Sequence, residues 1–358
     1  MSKFHKLSVQ EVKRETNDTV TVSFAIPAEL KDDYRFHQGQ YLTLRKEIQN
    51  EDVRRSYSIC SAINEEPRVA IKLVDGGLFS TFANTELKAG DELDVMTPMG
   101  KFYVPIDAKS ERHYVLFAAG SGITPIISIL KSVLIHEPKS KVTLFFGNKN
   151  FSSIIFREEL EDLKDRYIGR FRLFNVLSRE GADLEIFSGR IDQAKCQVFF
   201  EKLVNVNDCD EVFICGPEQM INEVQLGMKA IGIPDEKVHF ELFTSPKGSL
   251  SKESVIEVPE EHKGRMAKIQ VILDGAEIDF DLAYDSQAIL DAALERGADL
   301  PYSCKGGVCR TCLAKLEKGS VRMDVNYALE PGEIEAGFIL TCQSHPTSDE
   351  CIVNYDVS

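Results

Sequence analysis

Cys304, Cys309 and Cys312 follow the spacing C-x4-C-x2-C, and a fourth thiol, Cys342, lies further on in ILTCQ. No other feature constrains the chain as tightly. Two bridged irons need four thiolates, and a tight loop can deliver three of them while a separate segment supplies the last. The spacing is that of a [2Fe–2S] centre. Gly306 and Gly307 let backbone N–H groups approach the sulfurs, which favours the reduced, more negative cluster. A structural zinc site is the alternative. Zinc more often uses paired C-x2-C knuckles, whereas the first gap here holds four residues and the surrounding PYSCKGGVC is glycine-rich.

The remaining cysteines support metal chemistry over a disulfide framework. The chain has 9 cysteines, an odd number, and its N-terminus MSKFHKLSVQEVKRE has neither an apolar core nor a small-residue cleavage site. A reducing, cytoplasmic setting is expected. Cys351 lies beyond the pattern and reads as a small core residue. Residues 267–358 resemble the plant-type ferredoxins in the helix-forming AILDAALERGA (288–298), the PYSC entry to the loop and the distal LTCQ. The resemblance implies an α+β domain of the β-grasp type.

With 358 residues, the chain has room for more than this one domain. Residues 1–107 carry short alternating segments, VTVSFAI (20–26), YLTLRKE (41–47), RSYSICS (55–61), RVAIKLV (68–74) and DELDVM (91–96), divided by turn residues. That pattern predicts a β-barrel or sandwich, with one helix at STFANTEL (80–87). Residues 108–243 change character. The apolar runs YVLFAA (114–119), VTLFFG (142–147), FRLFNVLS (171–178), EVFICG (211–216) and VHFELF (238–243) are mostly separated by helix-period stretches, among them 123–137, 156–167 and 218–231. Strand and helix in alternation predict a doubly wound α/β domain with a parallel sheet. Residues 244–266 have a linker composition, and 267–358 complete the chain, with a hairpin expected at Asp274-Gly275. No apolar run approaches the ~20 residues of a membrane span.

Arg55-Ser56-Tyr57-Ser58 lies on a barrel strand, preceded by FHQGQYLTL (36–44) and followed by GGLFSTFAN (76–84) and TPMGKF (97–102). A planar aromatic suits a planar ring, and a guanidinium suits phosphate. Taken alone, the tetrapeptide would read as an ordinary strand. Together the segments resemble the ferredoxin–NADP reductase family of flavoproteins. The resemblance implies that Arg55 pairs with a flavin phosphate, that Tyr57 lies on the isoalloxazine, and that the Ser58 hydroxyl approaches its N5. Ser56 belongs to the same motif. Gly77, Phe79 and Ser80 would supply N–H groups and a hydroxyl to a pyrophosphate at a helix start. FAD is expected, with FMN the alternative.

Gly120-Ser-Gly122-Ile-Thr124-Pro125 follows the apolar strand YVLFAA and opens a helix. Small residues let the backbone approach a pyrophosphate there, and Pro125 suits a first helical turn. The spacing departs from G-x-G-x-x-G and matches the G-x-G-x-T-P turn of the same family. There, the turn Cys215-Gly216-Pro217 would border the nicotinamide, which adds Cys215 to Tyr57 and Ser58 as a candidate catalytic residue. By the same resemblance Ser178 and Arg179 would grip a 2′-phosphate, favouring NADPH over NADH, with Arg190 assisting. Phe243 would neighbour the flavin, near Glu241.

A hydride carries two electrons and a [2Fe–2S] cluster accepts one, so a flavin is needed between them. The domain order resembles oxygenase reductases with a C-terminal ferredoxin domain. This implies electron flow from NADPH through FAD and the cluster to a separate oxygenase component, a diiron enzyme of several subunits. The alternatives are an NADH-dependent reductase of a Rieske-type dioxygenase or of a hybrid-cluster protein, and a stand-alone diaphorase. The net charge of −15 disfavours nucleic acid. Residues 267–358 hold 7 Lys+Arg against 16 Asp+Glu. An acidic ferredoxin face therefore calls for a basic docking patch on its partner.

Overall fold

The computed structural model describes residues 3–181, 184–243 and 264–357. It divides into two compact units, one made of Phe4–Val53 and Tyr57–Leu242, the other chiefly of the chain from Phe243 onward. Most of the expected linker, 244–263, lies outside the described residues. Among the described residues no helix is long and apolar enough to cross a membrane.

The first unit begins with strands β1 (Phe4–Thr16), β2 (Thr19–Ala25), β3 (Tyr41–Ile48), β4 (Glu51–Ser58), β5 (Arg68–Lys72) and β6 (Glu92–Met96). They form one sheet in the order β4-β3-β6-β1-β2-β5, and a bridge between Ile59 and Val69 joins its two ends into a barrel. Alternate residues such as Val20, Val22, Leu42, Leu44, Val69 and Ile71 fill the interior. Strand β1 has no counterpart among the segments read from sequence. Only Leu7 and Val9 are buried along it, and register shifts at Val9/Glu11 and Arg14/Thr16 break its alternation. The expected helix at 80–87 is corrected to α1, Leu78–Thr85. Ser80 does not cap it from outside. Its hydroxyl sits within the first turn, accepting from the Val74 N–H at 3.1 Å and donating to the Gly77 carbonyl at 3.1 Å.

The same unit continues with strands β7 (His113–Ala119), β8 (Lys141–Asn148), β9 (Phe171–Leu177), β10 (Glu211–Cys215) and β11 (Val238–Glu241). All pair in parallel, in the order β11-β10-β7-β8-β9. Helices α2 (Ile123–His136), α3 (Arg157–Arg166), α4 (Gln193–Lys202) and α5 (Glu218–Ile231) connect them. Helix α4 is an addition to the helices read from sequence. The strand order reverses between β7 and β10, and in open α/β sheets ligands bind beyond the strand ends at such a switch point.

Helix α2 is fastened to the barrel. Ser128 Oγ donates to the Ser61 carbonyl at 2.7 Å, and the Ile63 N–H donates to Ser132 Oγ at 3.2 Å. Lys131, whose side chain is 8% exposed, lies between Glu65 and Glu159 at 2.7 Å from each, and Arg68 of the barrel also pairs with Glu159 at 2.8 Å. A buried cation is tolerated only when paired in this way. The two cations hold the Glu159 carboxyl below its usual range against the opposing effect of burial.

The second unit holds strands β12 (Met266–Leu273), β13 (Ala276–Ala283), β14 (Leu313–Lys318), β15 (Val321–Met323), β16 (Phe338–Leu340), β17 (Ser344–Pro346) and β18 (Glu350–Asn354). The main sheet runs β13-β12-β18-β14-β16, and β15 pairs with β17. The hairpin β12–β13 turns at Asp274 and Gly275, with φ of 51° and 74°. Positive φ at both turn residues is what a two-residue hairpin demands. Helix α6 is shorter than the expected 288–298: it spans Ile289–Leu294. Gly297, at φ 85°, ends it, and the Ala298 N–H returns to the Ala293 carbonyl at 3.1 Å. Helix α7 (Pro331–Glu335) precedes β16.

Candidate functional site

The flavin-side residues lie at the end of β4. Arg55 is exposed, with Nη1 donating to the Arg54 carbonyl at 2.7 Å, and Ser56 is half-buried. Tyr57 is half-buried, its ring 5.7 Å from Phe79, which in turn meets Phe82 edge-on at 6.1 Å. Phe79 is 1% exposed, so its ring supports Tyr57 from within the barrel core and offers no ligand surface of its own. Ser80 is likewise committed to the turn through its two backbone bonds. Gly77 fits because a Cβ there would lie 2.6 Å from Ser80 Oγ and 3.1 Å from the Val74 carbonyl. Beyond Gly77, the first N–H groups of α1 have no partner one turn back, which makes its start a favourable place for an anion. A half-buried aromatic, an exposed guanidinium and a helix start fit a flavin with its phosphates.

The nicotinamide-side residues converge at the switch point. The glycine turn leaves the end of β7 and the Cys-Gly-Pro turn leaves the end of its neighbour β10. The two turns touch: a Cβ on Gly122 would lie 2.1 Å from the Cys215 carbonyl oxygen and 2.7 Å from the Gly216 nitrogen. One on Gly216 would lie 2.7 Å from Met220 Cε and 3.2 Å from Ala119. Gly120 adopts φ 54° and has open space around it. Thr124 and Pro125 are buried in the first turn of α2, where Thr124 Oγ1 donates to the Ser121 carbonyl at 3.0 Å. They shape the turn from inside. Pro217 is the N-cap residue of α5.

Ser58 joins the two groups. Its buried hydroxyl donates to Glu241 Oε2 at 3.4 Å, and Glu241 lies opposite Cys215 in the β10–β11 register. Desolvation pushes the Glu241 carboxyl up to about 8, with the Ser58 bond acting in the opposite sense. Burial, and then the Glu241 charge, raise the Cys215 thiol well above its ordinary range, so it stays protonated. A hydroxyl, a neutral carboxyl and a neutral thiol thus gather where strand ends from the barrel and the parallel sheet meet. Phe243 is 38% exposed just beyond β11.

Ser178 and Arg179 follow β9, their N–H groups donating to the carbonyls of Asn148 at 2.9 Å and Lys149 at 2.8 Å. Both are exposed, and Arg179 forms no ion pair among the described residues. Arg190 Nη1 meets Gln219 Oε1 at 3.2 Å. Lys149 and Asn148, which the sequence motifs did not single out, share this edge. Asn148 Nδ2 is buried without a hydrogen-bond partner, a donor suited to a nucleotide. Its signal in the sequence was only its place at the end of an apolar run.

The three loop cysteines and Cys342 form two pairs. Cys304 meets Cys309 and Cys312 meets Cys342: each contact lowers the Cys304 and Cys342 thiols and raises their partners. Paired thiols fit two irons taking two thiolates each. The backbone is turned toward the sulfurs, with the Cys304 N–H 3.4 Å from Cys309 Sγ and the Gly306 N–H 3.3 Å from Cys304 Sγ. The Cys309 contact, against the opposing effect of burial and with help from the Gly306, Val308 and Cys309 N–H groups, holds the Cys304 thiol down to about 6. Lys305, Gly307 and Arg310 take φ of 49°, 74° and 61° to bring this about. Cys351 is buried in the domain core, and desolvation pushes the buried Cys60, Cys196 and Cys209 thiols up to about 12.

Three family models match in succession: an oxidoreductase FAD-binding domain over 6–103, an oxidoreductase NAD-binding domain over 116–226, and a 2Fe-2S iron-sulfur cluster binding domain over 271–347. The chain is 43% identical over 357 residues to one subunit of the 1,2-phenylacetyl-CoA epoxidase of Escherichia coli (strain K12), covering 99% of each chain. It is 34% identical over 355 residues to the 3-ketosteroid-9-alpha-monooxygenase ferredoxin reductase component of Rhodococcus rhodochrous, covering 98% of this chain and 96% of the relative. The solved structure of phthalate dioxygenase reductase matches with a TM-score of 0.59 at 20% identity over 98% of both chains, a likeness of fold.

Proposed function

The chain belongs to the ferredoxin–NADP reductase family, in the branch that carries a C-terminal [2Fe–2S] ferredoxin domain, and from that premise we propose that it draws electrons from NADPH for the oxygenase component of a phenylacetyl-CoA epoxidase. Its domains make it an NAD(P)H-dependent flavin and iron–sulfur oxidoreductase, and its relatives serve as components of oxygenases. The partner is a diiron enzyme presenting a basic patch to the acidic ferredoxin domain, in the cytoplasm.

Bound in the barrel, FAD would supply the exchange between a two-electron hydride and the single electrons that a [2Fe–2S] cluster accepts. The chain's own residues bind and orient. Tyr57 offers its ring to the isoalloxazine, Arg55 and the start of α1 hold the flavin phosphates, and the glycine turn seats the nucleotide pyrophosphate at the start of α2. Arg179 receives the 2′-phosphate. Ser58 and Glu241 hold a proton between Ser58 Oγ and Glu241 Oε2, beside Cys215. Phe243 borders the flavin. Cys304, Cys309, Cys312 and Cys342 hold the irons.

The observation that carries this reading is the Ser58–Glu241 contact, which joins the flavin strand to the nicotinamide sheet beside the Cys-Gly-Pro turn. The test is reconstitution. Reductase, NADPH and the epoxidase oxygenase component should together turn over phenylacetyl-CoA, faster at low than at high salt. Turnover with dyes alone, with no protein acceptor reduced, would leave a diaphorase. A rate that ignores ionic strength would remove the charged docking.

A further inference from the structure

Arg310 lies between two of the cysteines assigned to the cluster, and its side chain does nothing for the sulfurs directly. It reaches across to helix α7. Arg310 Nη1 and Nη2 meet Glu333 Oε2 and Oε1 at 2.7 and 2.6 Å, and Nη1 also donates to the Ala328 carbonyl at 2.6 Å. Glu333 Oε2 accepts a further bond from the Glu330 N–H at 3.0 Å. The two side chains are 12% and 16% exposed. A two-pronged pair this well covered is among the stronger ionic contacts a chain can make. It is also made at a conformational cost. Arg310 has φ 61°, a left-handed backbone that glycine adopts freely and arginine does not. Packing alone does not call for arginine at this position; its charge and its carboxylate partner do.

We propose that Arg310 and Glu333 are a charge-compensated positioning pair that keeps the reduction potential of the cluster from being shifted by either side chain's lone charge. This rests on the assignment of Cys304, Cys309, Cys312 and Cys342 as ligands. Reduction adds one negative charge to the cluster. A lone guanidinium one residue from Cys309 would favour that charge, and a lone carboxylate would oppose it. Paired, they cancel, and Glu333 holds the guanidinium while fixing the loop on the segment that leads into α7. The same segment donates the Tyr327 N–H to the Gly307 carbonyl at 3.1 Å, which is a second tie to the loop.

The test is a redox titration of the purified holoprotein followed by the EPR signal of the reduced cluster, at pH 8.5. Glu333→Gln leaves the cation unpaired and should raise the potential. Arg310→Gln leaves the carboxylate unpaired and should lower it. The double variant should return close to the wild-type value. Each single variant should shift the one-electron equilibrium roughly tenfold, about 59 mV. Shifts of the same sign in both single variants, no shift in either, or a double variant as displaced as the singles would overturn the assignment. Should Glu333→Gln fail to retain iron, Glu333→Asp, which keeps the charge, should retain it at the wild-type potential; loss of iron there also overturns it. Wild-type protein lacking a [2Fe–2S] signal would instead strike at the ligand assignment beneath.

Discussion

Ser58 and Glu241 stand 183 positions apart in the chain, yet the serine hydroxyl donates to the glutamate carboxyl at 3.4 Å. One residue closes a barrel strand and the other closes an edge strand of the parallel sheet. If the pair holds a proton for hydride transfer, Ser58→Ala and Glu241→Gln should each slow flavin reduction by about 10²-fold, the lower end for acid–base groups. Flavin content should stay at the wild-type level. The double variant should be little slower than either single, because the two act as a unit. Anaerobic rapid mixing with NADPH measures all three.

The raised Glu241 carboxyl also has a stability signature. Its folded value of about 8 exceeds the ordinary 4.5. Between those values the folded chain binds more protons than the unfolded one, so stability falls as pH rises through the window and levels off above it. Thermal melts from pH 5 to 9 should show this decline. Glu241→Gln, which cannot titrate, should flatten it.

Two glycines of one turn should behave differently. Gly122 has an ordinary φ of −61°, so its need for hydrogen is steric, a Cβ lying 2.1 Å from the Cys215 carbonyl oxygen. Gly122→Ala should cost about 1–3 kcal/mol and weaken nucleotide binding by pushing the two turns apart. Gly120→Ala meets no neighbour and carries only the left-handed backbone penalty, about 1–2 kcal/mol. Denaturant melts compare the two, and the KM for NADPH should move mainly in Gly122→Ala.

Arg179→Ala should raise the KM for NADPH by about tenfold or more, the worth of a charged hydrogen bond to phosphate, and leave that for NADH nearly unchanged. Steady-state kinetics with both nucleotides decide it. Equal effects would remove the 2′-phosphate role.

Cys309→Ser should abolish the EPR signal of the reduced cluster and reduction of the oxygenase component. NADPH-to-ferricyanide turnover at the flavin should persist. An acceptor still reduced at the wild-type rate would contradict the route through the cluster.

The cysteine loop and the parallel sheet were legible because their signals are local. Ligand spacing is fixed by the metal chemistry, and the apolar runs of β7, β8 and β10 are buried on both faces. Strand β1 was illegible because bulges interrupt its alternation and much of its length faces water. The sequence motif assigned the Ser80 hydroxyl to a ligand, whereas the structure uses it to build the turn, and the Phe79 ring, to which the motif gave no role, supports Tyr57. Lys149, Asn148 and the Arg310–Glu333 pair carry no motif. Their significance comes from neighbours far along the chain, which only the fold brings near.

Lys131 has a consequence for how such reductases can diversify. Its two carboxylate partners come from opposite sides, Glu65 from the barrel and Glu159 from α3. A chimera that joined this nicotinamide domain to the barrel of a relative lacking Glu65 would leave the buried Lys131 with one of its two carboxylates. Wholesale exchange at that junction therefore carries a cost, while the nucleotide edge around Arg179 can change one residue at a time. In such a lineage, coenzyme preference would drift by point substitution, with the barrel and the sheet inherited together.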